Sequence, residues 1–173
     1  MNAHMTKIAV AATAMFLSAS TWAATDTANL AVSATVASVC AIGPGTLAFG
    51  GLGLGVNSGA GTLNPTNHDA DSGSTISVVC TNGTSAAITA GFGANPLLLT
   101  TRRMISGVDF LTYELYTDAG RLTVLSPVNA ISYTGTGLVT SQTVYGRITG
   151  AQLAAAKKGS YTDTVAMTIT YSP

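Results

Sequence analysis

Residues 28–36, ANLAVSATV, alternate from end to end. Ala28, Leu30, Val32, Ala34 and Val36 fall on one side of an extended chain, and Asn29, Ala31, Ser33 and Thr35 on the other. Period-two alternation of β-branched and small residues marks a strand with one buried face. A strand of the same clarity, TVAMTITY over residues 164–171, stands at the other end with only Ser172 and Pro173 after it. The first lies ahead of the first cysteine, where a domain usually carries a dispensable tail. The chain therefore opens on a strand that looks surplus and closes on one with no neighbour in sequence to pair with.

The intervening chain reads as sheet. Strand candidates cover residues 74–81, 86–92, 110–117, 121–125, 139–149 and 162–171, with a short one at 47–49. Gly, Asn, Pro and Asp separate them, and many short strands with turn chemistry between them predict a β-sandwich. Only residues 150–158, GAQLAAAKK, have helix-forming composition, enough for one or two turns on a connection. A length of 173 residues suits one domain with its own core. With 8% charged residues and a formal net charge of zero there is no basic footprint for nucleic acid.

Residues 1–23 read as a signal peptide: Lys7 in a polar start, a short apolar run, and Thr21-Trp22-Ala23 as a small-x-small cleavage site. Export decides the chemistry of the two cysteines, since an even count in an oxidising compartment reads as one disulfide, Cys40 to Cys80. In TISVVCT, Ile76, Val78 and Cys80 share a face, which turns the Cys80 sulfur into the core.

Catalytic and cofactor patterns are missing. The glycine-rich stretch 43–61 completes no GxGxxG register, and no Walker sequence or GxSxG elbow occurs. Past residue 23 the chain has one histidine, His68, and one glutamate, Glu114. Asp69-Ala70-Asp71-Ser72-Gly73 looks like the start of a calcium loop, but Cys80 stands where the closing acidic ligand belongs. The tyrosines fit strand faces and corners. The expectation is a protein that is not an enzyme and uses no cofactor or metal.

Several runs are specific. They are Cys40 with Phe49-Gly50, SVVCT at 77–81, Arg102 to Met104 with LTYELYTD at 111–118, VYGRI at 144–148, and GSYTDTV at 159–165 continuing to Tyr171. Together they resemble the spore-coat-U (SCPU) family and, more narrowly, the major pilins of archaic chaperone–usher pili of the Csu type. The resemblance implies an all-β fold: an incomplete immunoglobulin-like β-sandwich lacking its last strand, completed by a donor strand from another subunit. It makes residues 24–36 the donor-strand extension and residues 37–173 the pilin domain. The donor positions would be Ala28, Leu30, Val32, Ala34 and Val36. Val165, Met167, Ile169 and Tyr171 would line one wall of the acceptor groove, with the strand entering Cys40 opposite. The implied partners are identical or related pilin subunits joined head to tail, a periplasmic chaperone and an outer-membrane usher. The implied product is an extracellular pilus for adhesion and biofilm formation. The same strand pattern would also serve a self-complemented monomeric secreted sandwich, or a single-domain adhesin using loops near 51–61 and 95–99.

Overall fold

In the computed structural model the structure describes residues 25–50, 52 and 68–172. The expected signal peptide and most of the glycine-rich stretch lie outside the described residues. The chain divides into two units, residues 1–35 and 36–173. In the first, residues 25–35 form no regular secondary structure, and Leu30 and Val32 are 87% and 84% exposed. Alternation at 28–36 thus produces no strand here, because a strand exists only through the ladder it makes with a partner.

The second unit is built from eight strands and one short helix among the described residues. They are β1 (Cys40–Ile42), β2 (Ala70–Cys80), β3 (Ser85–Ala90), β4 (Arg102–Ser106), β5 (Asp109–Tyr116), β6 (Ile131–Thr134), β7 (Thr140–Ile148), α1 (Gly150–Ala155) and β8 (Met167–Tyr171). Pairing is antiparallel throughout, in a five-stranded sheet of order β1-β2-β7-β5-β4 and a three-stranded sheet of order β6-β3-β8. Inward residues of both sheets form one core: Ile76, Val78 and Cys80 from β2, Leu111, Tyr113 and Leu115 from β5, Ile88 from β3 and Ile148 from β7. Cys40 stands directly across from Cys80 in the β1–β2 register, and the two form a disulfide. Where β7 passes under this core it carries Gly146, because a Cβ there would sit 2.9 Å from the Phe49 ring.

One expected strand is a turn instead. Residues 121–125 make only an isolated bridge, Val124 to Tyr116. Asp118 redirects the chain: its carboxylate accepts from the amides of Leu122 (3.2 Å) and Thr123 (2.9 Å), and Arg121 takes a φ of 56°. Those bonds hold the Asp118 carboxyl below the usual range, that from Thr123 most strongly. The helix predicted over 150–158 ends at Ala155, capped at its start by the Thr149 hydroxyl. β1 and β8 are each the last strand of their sheet, and no ladder joins them.

Candidate assembly groove

Leaving β1, residues 43–49 run beside the first half of β2 without becoming a strand. The short strand expected at 47–49 is replaced by side-chain bonding: the Ser72 hydroxyl donates to the Ala48 carbonyl (2.6 Å) and the Ser74 hydroxyl to that of Thr46. The Gly43 amide donates to the Ser77 carbonyl at 2.7 Å. This segment is one wall of a cavity of about 660 Å³; residues 161–165 and Met167 form the other. The floor is apolar, from Ile76, Met104, Leu115 and Val144, with Tyr113 among them.

Sequence alternation sets the second wall. Val165, Met167, Ile169 and Tyr171 are half-buried, while Ala166, Thr168 and Thr170 between them are exposed. The register of β8 against β3 pairs Met167 with Ala90, Ile169 with Ile88 and Tyr171 with Ala86. Val165 and Met167 line the cavity, and Ile169 and Tyr171 continue the same face of β8 beyond it. The facing wall comes from residues that follow Cys40, where the resemblance had placed the strand entering it. That entering stretch is fixed elsewhere, along the end of β2. The Thr81 amide donates to the Val39 carbonyl (2.9 Å), the Val39 amide to the Thr81 hydroxyl (3.1 Å), and that hydroxyl to the Ala37 carbonyl (3.1 Å). Of the donor positions, Ala28, Leu30, Val32, Ala34 and Val36 are all exposed.

Two polar assemblies, one of them in the groove lining itself, were not legible in the sequence. Arg102, with 0% exposure, donates through Nε to the Gly91 carbonyl (2.8 Å) and through Nη2 to those of Ala90 (3.1 Å) and Leu125 (2.7 Å). Its Nη1 meets Glu114 Oε2 at 3.3 Å. Burial pushes the Arg102 guanidinium down and the Glu114 carboxyl up, each countered by the other's charge. Nearby, the Tyr113 hydroxyl donates to Asp163 Oδ2 at 2.7 Å. Burial, and then that bond, hold the phenol far above its ordinary range, so it stays a donor. The signal that could have found both assemblies is the only glutamate past residue 23 lying beside Tyr113 in LTYELYTD, with Asp163 in GSYTDTV.

The arrangement has no nucleophile held by a base, and no three His, Cys, Asp or Glu among the described residues could hold a metal ion. Among the described residues it offers an apolar trough between the end strands of the two sheets, β1 and β8, which no ladder joins. Residues 26–168 match the Spore Coat Protein U domain, and the chain belongs to that family. It is 36% identical over 187 residues to Protein U of Myxococcus xanthus, a match covering 99% of this chain and 100% of that protein. The fold is also similar to a chain in the crystal structure of the CsuC–CsuE chaperone–tip adhesion subunit pre-assembly complex from the archaic chaperone–usher Csu pili of Acinetobacter baumannii. The TM-score is 0.50 at 18% identity, over 78% of this chain and 40% of that one. This chain thus spans less than half the length of that solved chain.

Proposed function

We propose that the chain is a structural pilin subunit that polymerises by donor-strand exchange, residues 24–36 of one copy filling the groove of the next. The observation that carries this reading is the apolar trough between residues 43–49 and the Val165–Met167 wall, bounded by sheet edges that lack a partner. Unpaired edges beside exposed apolar surface favour aggregation, so such a subunit needs a holder before assembly. A periplasmic chaperone and then an outer-membrane usher fill that role; the similarity to a chain from a chaperone–subunit complex supports this part.

An inserted strand adds a ladder of backbone hydrogen bonds and buries Leu30, Val32 and Val36. At about 1.5–3 kcal/mol for each large apolar side chain, those three contribute on the order of 5–8 kcal/mol. Each subunit gives one strand and receives one, and a head-to-tail contact that does not close on itself builds a fibre. The fibre is exported to the cell surface, where it serves adhesion and biofilm formation.

Deleting residues 24–36 tests the assignment. The truncated subunit should still be captured by the chaperone and should add no further subunit to a growing fibre. Fibres of normal length seen by electron microscopy would end the proposal. A soluble, two-state monomer that never polymerises, obtained from the intact exported chain without a chaperone, would favour a self-completed sandwich instead.

A further inference from the structure

The wall between Thr162 and β8 is the least supported part of the groove. Thr162 is fixed by a bridge to Ile105, with bonds of 2.9 and 3.1 Å, and β8 begins at Met167. Residues 163–166 between them belong to no strand. One backbone bond holds their far end, from the Gly91 amide to the Ala166 carbonyl at 2.9 Å. The near end hangs on a single side chain, Asp163.

Its carboxylate joins three parts of the fold. Oδ1 accepts from the Ala94 amide, in the loop between β3 and β4, at 2.8 Å, and from the Thr164 amide at 2.8 Å. Oδ2 accepts from the Tyr113 hydroxyl, rising from the floor strand β5, at 2.7 Å. The loop is shaped for this contact. Gly93 has φ +82°, and a Cβ there would lie 2.0 Å from Asp163 Oδ2, so only glycine lets the carboxylate sit against the loop.

We propose that Asp163 is a positioning residue for strand uptake: by clipping residues 163–166 to Tyr113 and Ala94 it holds the receiving edge open and ordered before a donor strand arrives. The inference rests on the pilin reading. An edge ordered in advance spares the incoming strand the entropy of organising it, so the clip acts on the rate of insertion. Once the groove is filled, the new ladder supports the same residues, and the clip matters less. A residue needed only for the fold would weaken the filled and unfilled subunits alike.

The test refolds the full exported chain in the presence of excess fluorescent synthetic peptide of residues 25–39 and follows uptake by anisotropy. Asp163→Ala should slow uptake by about tenfold or more, since it removes three charge-assisted hydrogen bonds. The melting temperature of its filled form should move far less than that of its unfilled form. Asp163→Asn keeps an oxygen for the Ala94 and Thr164 amides and should return the rate to within about threefold of the unaltered chain. If Asp163→Ala does not fold, Tyr113→Phe removes one bond while keeping the ring and should slow uptake by about threefold. Rates equal to the unaltered chain in the folded variants overturn the inference and leave the pilin reading standing. Equal losses of filled and unfilled stability with no change in rate do the same. Failure of the unaltered chain to take up the peptide at all overturns the pilin reading itself.

Discussion

A guanidinium removed from water is tolerated only where its donors are met, and Arg102 meets that condition with three carbonyls and Glu114. These partners come from β3, the segment leaving it, β5 and the turn before β6, so one side chain ties the two sheets together behind the groove floor. Phe92 adds its ring face 5.4 Å from the guanidinium carbon. Arg102→Met keeps much of the volume but strands the buried carbonyls of Ala90 and Leu125, the part-buried one of Gly91 and the half-buried Glu114 carboxylate. It should cost roughly 3–5 kcal/mol, read as a fall in the urea midpoint at unchanged slope. Arg102→Lys should recover less than half of that loss, since one ammonium on a flexible stem cannot reproduce the fork that reaches Gly91, Ala90 and Leu125 together. A midpoint within error of the unaltered chain in either variant would mean the sheets are held by apolar packing alone.

Strands long enough to repeat their alternation were legible: those expected at 74–81, 86–92, 110–117 and 139–149 correspond to β2, β3, β5 and β7. The closing strand is real but begins at Met167, because residues 163–166 are held by the Asp163 carboxylate and Gly91 and not by a ladder. Three strands went unread. β1, β4 and β6 have three, five and four residues, too few for a period to declare itself, and they exist because longer neighbours offer an edge. Residues 121–125 carried strand-like composition, yet the Asp118 carboxylate took the amides of Leu122 and Thr123, leaving only the bridge at Val124 with the Leu125 amide on the Leu115 carbonyl. The resemblance named Val165 and Met167, which line the cavity, whereas nothing in the sequence singled out Arg102 or Asp163 for a role. Whether a charge can be buried depends on carbonyls and hydroxyls distant in sequence, which no local pattern reports. The shortness of β1 has its own consequence. Three residue pairs cannot anchor a wall, and the Cys40–Cys80 disulfide supplies the missing hold. Closing a loop of sequence separation 40 stabilises by about 4 kcal/mol on the chain-entropy view. Cys40→Ser should therefore lower the domain's stability by several kcal/mol in equilibrium unfolding and, on the pilin reading, reduce the yield of exported subunit. Full yield of subunit from reducing growth would remove the bond from the list of supports.

Among the described residues β1 and β8 leave two sheet edges with no ladder between them, a poor end point for a free molecule. Under the donor-strand reading the remedy is another copy's arm, and period-two geometry then makes a sharp demand of neighbouring residues. In a ladder, Leu30 points into the groove and Asn29 points away from it, and a slip of one residue would exchange their faces. Leu30→Asp would carry a carboxylate onto an apolar floor with no cation to meet it, where an unpaired charge cannot be kept. On that reading it should abolish fibre extension while chaperone capture of the subunit, which would use the groove and not the arm, continues. Asn29→Asp adds the same charge one position earlier, on the face turned to solvent, and should leave fibre yield within about twofold, the ordinary range for an exposed substitution. The pair separates insertion in a fixed register from general repulsion between arms. Sheared pili quantified by gel and micrograph give the readout: loss in both variants points to charge alone, retention in both removes the arm from assembly, and loss only with Leu30→Asp places that side chain in the groove.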